Sequence, residues 1–542
     1  MGDGARRESS LNPTRSETPC THRSFMHGTW EIPPPSSLDR LGLPGKATGN
    51  KPDRYGGGKS DDGIVPKKPP NAARAAEAVE GRTSTKRNAW QAAAVRTQSR
   101  DAASSDLQRV REAAKRDKRA RFTALLHHIT PQRLRESFYA LKHEAAPGID
   151  GVVWKEYLQE LDSRLDALHA AVHRGSYRAQ PVRRTYIPKA DGTQRPLGIA
   201  ALEDKIVQHA VVTVLNAIYE SDFVGISYGF RPGRSQHDAL DAVAVSIEKR
   251  KINWVVDADF QKFFDTIDQR WLKRFVAHRI GDQRLLRLIN KWLTAGVMEG
   301  GQLTQPEVGT PQGAVISPLL ANIYLHYVFD LWALQWRRHT ARGDMVIVRY
   351  ADDTFLGFED RKEAECFLAG LHERVAQFGL SLHPTKTRLI AFGRFANAWC
   401  RRHGQRRAQT FDFLGFTHIC GITRKNGWFQ LQRVTMAKRM HRKLAEIRQV
   451  LRRRLHDRPR DVGRWLRRVL QGFYNYHAIP GNMRRLWSMR YRVLYCWWRV
   501  LRRRSQRRLS WERFFALVRR WLPEPRVLHP YPNARFRATH SR

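Results

Sequence analysis

The run "IVRYADDTFLGF", residues 347–358, sets two adjacent carboxylates, Asp352 and Asp353, inside a stretch otherwise apolar enough for a buried β-hairpin. Like charges raise one another's pKa and burial raises both, so such a pair calls for positive charge beside it. Taken alone, two acids between short apolar runs read equally well as a solvated turn. A second apolar run ends the same way. In "NWVVDADFQKFFDTID", residues 253–268, positions 253–259 have the character of a buried strand, and the two-residue period puts Asp257 and Asp259 on one face, with Asp265 beyond. If the two strands lie side by side, Asp259 and Asp352 converge on a pair of Mg2+ ions about 4 Å apart, whose charge removes the repulsion.

Composition narrows the chemistry. Among 542 residues, 96 Lys and Arg face 51 Asp and Glu, a formal charge of +45 that self-repels until a polyanion neutralises it; nucleic acid is the fitting partner. No apolar run approaches the roughly 18 residues of a membrane span, and no secretory h-region opens the chain, so the expectation is a soluble, cytoplasmic protein with no membrane partner. Five scattered cysteines with no C-x-x-C pair speak against a zinc ribbon or a disulfide framework.

The chain changes character along its length. Residues 1–70, rich in Pro, Gly, Ser and charge, read as a disordered leader. From "NAARAAEAVE" to "LQRVREAAKRDKRARFTALLHHI" the spacing predicts basic helices, and a mixed α/β region follows to about residue 425. Residues 433–542 hold 31 Lys and Arg against 5 Asp and Glu, interleaved with Trp465, Trp487, Trp497, Trp498, Trp511 and Trp521. Apolar residues recur there at three- and four-residue spacing, predicting a helical domain with one basic face. Arg452, Arg453, Arg454, Arg464, Arg467 and Arg468 are its candidate RNA-binding residues, because guanidinium planes and rings stack on exposed bases while the charge pairs with phosphate.

Together with "YADD" (350–353), "DFQKFFD" (259–265) and "GTPQGAVISPLLANIYL" (309–325), the segments "APGIDG" (146–151), "YIPKADGTQRPLGIAALEDKIVQ" (186–208), "SYGFRPGRSQHDAL" (227–240), "GLSLHPTKTRL" (379–389) and "FDFLGF" (411–416) occur in an order that resembles the reverse transcriptases encoded by bacterial group II introns. The resemblance spans about 146–416. It implies an α+β right-hand polymerase: an N-terminal helical extension and fingers over 71–225, a palm with an antiparallel sheet over 226–425, and an α-helical thumb and maturase domain X over 426–542. Carried onto this sequence, it makes Asp259, Asp352 and Asp353 the catalytic and metal-binding carboxylates for two Mg2+ ions, acting in attack of a primer 3′-hydroxyl on a dNTP.

The hairpin "RRTYIPKADGTQRPLGI" turns at Asp191-Gly192; by the resemblance Lys189 and Arg195 on its arms contact the triphosphate. Phe263, four residues after Asp259 and on its face if the strand continues, is the candidate sugar gate against a ribose 2′-hydroxyl, with Phe264 the neighbouring alternative. Gln312 is placed at the nucleotide by the glycine-containing loop before "SPLLANIYL", where Ser317 and Pro318 read as N-cap and N1 of a helix, and Ala314 stands where many relatives have glycine. Arg231 and Arg234 precede a helix start at Ser235 with Asp238 as its capping partner, and read equally as template contacts or structural pairs.

The segment "LQGFYNYHAIPGN" (470–482) resembles the aromatic signature of domain X, implying that group II intron RNA is a partner beside the RNA template, the DNA primer or target, and dNTPs. No His-Asn-His nuclease signature follows it. Three other readings compete: a splicing factor whose polymerase has decayed, against which all three acids stand; a reverse transcriptase recruited to another role such as phage defence; and an RNA-dependent RNA polymerase, which usually carries Gly before the paired acids.

Overall fold

The computed structural model describes residues 97–188, 194–305, 308–423, 425–504 and 509–539. The leader expected over 1–70, the first of the basic helices and Lys189 with its turn lie outside the described residues. Eleven strands form among them: β1 (Val182–Pro188), β2 (Gln194–Ile199), β3 (Trp254–Ala258), β4 (Val297–Glu299), β5 (Gln302–Thr304), β6 (Met345–Tyr350), β7 (Asp353–Phe358), β8 (Arg388–Ala391), β9 (Phe411–Phe413), β10 (Phe416–Ile422) and β11 (Phe429–Thr435).

They make three sheets. The central one runs β6-β7-β3-β8, antiparallel at every pairing, and β3 takes its inner place because Val255 and Val256 are buried on both faces. One face packs Val255, Val348 and Phe355 against Leu240, Val243 and Ile247 of the helix Gln236–Lys249, and the same core continues into Phe411, Phe413 and Phe416 of the third sheet, β11-β10-β9. The other face packs Phe358 on Phe367 of the helix Arg361–Ala376. The remaining sheet, β2-β1-β4-β5, carries the hairpin of β1 and β2.

Ser235 and Asp238 form the expected capping box: each side chain accepts from the other's backbone N–H, at 3.2 and 2.8 Å. The other helix start differs from expectation. The helix Ser317–Leu325 is capped at Ile316, which makes Ser317 its first residue, and the Ser317 hydroxyl donates to the Pro311 carbonyl at 2.9 Å instead of capping.

The basic tail is helical, as its spacing predicts. Helices Ala437–Arg453, Pro459–His477, Met483–Arg502 and Trp511–Trp521 bury Leu444, Ile447, Leu466, Leu470, Met489 and Trp497 in a core of their own. Gly463 lets two of them touch, since a Cβ there would lie 2.6 Å from the Trp521 ring. The "LQGFYNYHAIPGN" segment is the joint between these helices and the third sheet. The Tyr476 hydroxyl donates to the Leu414 carbonyl at 2.6 Å, and the Asn482 amide donates to Thr435 Oγ1 at 2.7 Å while its oxygen accepts from the Thr435 N–H at 3.0 Å.

Candidate active site

The register of the central sheet brings the acids together. Ala258 of β3 lies opposite Thr354 of β7, so the next step sets Asp259 beside Asp353, on the face that also carries Val255 and Phe355. Tyr350 pairs with Asp353 across the tip of the β6-β7 hairpin, which leaves Ala351 and Asp352 as a two-residue turn. Asp259 and the Asp352-Asp353 pair thus gather at one end of the central sheet. The Asp352 carboxyl is pushed above the usual carboxylate range by burial and then by the Asp259 charge, offset by its own backbone N–H, Arg195 and Arg349. Asp353 keeps an open face to water, yet crowding by protein atoms, with the charges of Asp352, Asp259 and Asp257, pushes it up as well.

A turn of this shape is strained, and the surroundings hold it. Ala351 has φ +58°, a left-handed conformation that costs an L-residue about 1–2 kcal/mol. Gly229 lies flat against it: a Cβ at Gly229 would stand 2.3 Å from the Ala351 nitrogen. Behind the turn, Arg349 is fully buried. Its Nε and Nη2 donate to the two Asp330 oxygens at 2.6 Å each, Nη1 donates to Asn322 Oδ1 and to the Ala351 carbonyl at 3.0 Å each, and Nη2 also donates to Ser227 Oγ at 2.8 Å. The Asn322 amide in turn donates to the Gly229 carbonyl at 2.7 Å. Sequence reasoning gave Arg349 and Asn322 no role. The available signal was one arginine in the apolar run "IVRY" and one asparagine in the apolar helix "SPLLANIYL".

Around the carboxylates stand the other expected site residues. Arg195, exposed on β2, lies near enough for its charge to lower the Asp352 carboxyl, which brings the β1-β2 hairpin to the acids. Gln312 sits in a loop stitched to the same strand, its carbonyl accepting from the Gly198 N–H at 2.6 Å. Phe263 does not face the site. β3 ends at Ala258, and after a left-handed Lys262, with φ +45°, the chain enters the short helix Phe263–Thr266, so the ring of Phe263 is buried beside Phe260. Phe264 is the half-buried one, and its carbonyl accepts from Thr310 of the Gln312 loop at 2.8 Å. Lys386 was also missed: its ammonium lies 2.9 Å from Asp259 Oδ2, because residues 381–383 pair with the chain just after β3. Arg231 and Arg234 are engaged within the chain. Arg231 pairs with Glu220 at 3.0 Å, and Arg234 donates to the Gly225 carbonyl at 2.7 Å.

The donor set suits Mg2+. Among the described residues no three acidic, His or Cys side chains stand ready as a cage, but Mg2+ characteristically takes one or two carboxylates and completes its shell with water and substrate phosphate. Hard oxygen donors that repel one another, with raised pKa, are stabilised by a cation of that kind.

The family of reverse transcriptases (RNA-dependent DNA polymerases) matches residues 187–418, which contain all of these carboxylates. Protein YkfC of Escherichia coli K12 is 36% identical over 310 residues, covering 50% of this chain and 80% of that protein. The chain belongs to the reverse transcriptase family. This reverse transcriptase is also 37% identical over 223 residues to the group II intron-encoded protein LtrA of Lactococcus lactis, a match that covers 40% of this chain and 36% of LtrA. A weaker likeness, 28% over 127 residues, links it to nuclear intron maturase 3 of Arabidopsis thaliana. In the reverse transcriptase's helical tail, Arg452, Arg453, Arg464, Arg467 and Arg468 are exposed along two consecutive helices. Arg454 is half-buried over the Trp465 ring, 5.5 Å from its centroid. Among the described residues no helix is long and apolar enough to cross a membrane.

Proposed function

We propose that this reverse transcriptase copies RNA into DNA with Asp259, Asp352 and Asp353 as its metal-binding carboxylates, and that its helical tail binds group II intron RNA to assist splicing and mobility. The observation that carries the first part is the gathering of three carboxylates, two with raised pKa, at the locked end of an antiparallel sheet. When bound, two Mg2+ ions supply activation of the primer 3′-hydroxyl and neutralisation of the pyrophosphate leaving group. The chain's own side chains do the rest. Asp259 and Asp352 would hold the ions, Arg195 and Lys189 would offer guanidinium and ammonium to the triphosphate, and the Gln312 loop, pinned to β2, would lie beside the nucleotide. Phe264, half-buried where Phe263 is buried, is the residue that would crowd a ribose 2′-hydroxyl. The exposed arginines over 452–468 support the second part, since phosphate contacts of this kind supply sequence-tolerant affinity.

The test is primer extension on an RNA template with Mg2+ and dNTPs. The unaltered protein is expected to extend and Asp352→Asn to fall to background while keeping RNA affinity. Joint loss of binding and extension would mean that the acid holds the fold. Splicing of an intron-containing precursor RNA, with and without the protein, tests the second part separately.

A further inference from the structure

The helix Met483–Arg502 buries one side in the core of the basic tail, and its other side carries rings in an ordered row. Trp487, Tyr491 and Tyr495 stand four residues apart and exposed, Tyr491 to 68%, and the half-buried Trp498 continues the row. Trp498 stacks on the exposed Trp511 of the next helix, centroids 4.6 Å apart and planes 10° from parallel. Exposed apolar surface arranged in a line marks a contact site.

The surrounding charge names the partner. The helix carries six arginines and no acid. Three of them already lie over ring faces: Arg490 on Trp487 at 5.5 Å, Arg499 on Tyr495 at 5.9 Å and Arg502 on Trp498 at 4.7 Å. A second copy of this chain laid on the face would set arginine against arginine. An apolar protein partner would bury guanidiniums with no carboxylate to meet them, which costs several kcal/mol for each. A polyanion that brings its own flat faces satisfies both features, and nucleic acid does so.

Spacing decides which form of nucleic acid. Four helical residues rise about 6 Å, well beyond the roughly 3.4 Å step of stacked bases in a duplex. Paired bases also keep their faces for one another. Rings at this pitch match bases that are unpaired and splayed. We propose that Trp487, Tyr491 and Tyr495 form a stacking ladder for unpaired nucleotides of the bound RNA, flanked by Arg492, Arg499 and Arg502 on its phosphates, and distinct from the arginines over 452–468. This rests on RNA being the partner of the tail.

The experiment compares binding of the full chain to a short labelled pyrimidine RNA strand and to a blunt RNA duplex, for the unaltered protein, Tyr491→Ala/Tyr495→Ala and Tyr491→Phe/Tyr495→Phe. Both tyrosines are exposed, so neither change opens the core. The alanine pair is expected to lose about tenfold or more on the single strand and less than about twofold on the duplex, with the phenylalanine pair restoring the loss because the ring remains. Equal loss on both RNAs, no loss on the single strand, or a phenylalanine pair as weak as the alanine pair overturns the ladder. So does a change in sedimentation mass in the alanine pair, which would identify the face as an interface between copies. If the unaltered protein binds neither RNA, the reading of the tail as an RNA-binding domain falls with it; if it binds both and the alanine pair is indifferent, only the ladder falls.

Discussion

The palm turn and the helical tail treat positive charge in opposite ways. At the turn, Arg349 is fully buried, with donors spent on Asp330, Asn322, Ser227 and the Ala351 carbonyl, so its job is geometry. In the tail, arginines such as Arg452, Arg464 and Arg467 face water, and the ion pair of Arg464 with Asp461 is long, at 3.5 Å, and solvent-screened. Buried charge in a closed network fails as a unit, whereas exposed charge contributes in increments. The first region should therefore respond to single substitutions all at once, and the second only in proportion to the number of charges removed.

The sharpest way to break this contrast is Arg349→Met. It leaves Asp330 buried without its guanidinium, with only His326, at 4.0 Å, left to pair with it among the described residues, an expected cost of about 3–5 kcal/mol in urea unfolding together with loss of primer extension. Adding Asp330→Leu should return much of the stability and none of the extension, because the Ala351 carbonyl and Asn322 still lack their donor; a double variant that regained both would show that the turn needs no lock. Next in size, Phe263→Ala should destabilise by about 3–5 kcal/mol through its cavity without admitting ribonucleotides. Phe264→Ala should cost less stability and raise NTP incorporation, read as the ratio of NTP to dNTP extension. Swapped outcomes would return the gate to Phe263.

In the tail, Arg452→Gln, Arg453→Gln and Arg464→Gln together should flatten the slope of log K against log salt by about 2–3, roughly 0.7–0.9 for each phosphate no longer neutralised. An unchanged slope would move the RNA surface away from these helices. The smallest expected effect concerns His418, buried on β10 against Phe411 and pushed down to about 3 by burial. An unfolded histidine takes its proton near 6.5 and the folded one only near 3. Between those values the unfolded chain binds more protons, so this residue's contribution to stability falls as pH drops from about 6.5. His418→Phe should make the decline of thermal stability between pH 7 and pH 5 shallower.

The hairpin, the helix start at Ser235 and the helical tail were legible because each is written in local terms: apolar alternation, a capping pair and three- and four-residue spacing. The gathering of Asp259 with Asp352 and Asp353 followed from the same alternation once the two strands were neighbours. Roles that depend on distant partners were not legible. Arg349 meets Ser227, 122 residues away, and Lys386 meets Asp259 through a pairing that no local period announces. Phe263 went astray for a local reason: the strand ends at Ala258 and a left-handed Lys262 opens a short helix, so the alternation cannot be carried to Phe263. At Ser317 the error was one residue, because the hydroxyl has a better acceptor in Pro311 than a capping role provides.

The contact between Gly229 and Ala351 has a bearing on how such a chain can change over generations. Backbone meets backbone there, with no room for a methyl group, while Asn322 and Arg349 tie both sides of the contact from other parts of the chain. A substitution at any of these positions has no single neighbouring substitution that restores the turn, because the remaining members still demand the original shape. These positions are free to vary only as a group. The aspartates could be replaced one at a time while the turn kept its form, so a descendant that had abandoned polymerisation would show its history first in the acids and last in the glycine.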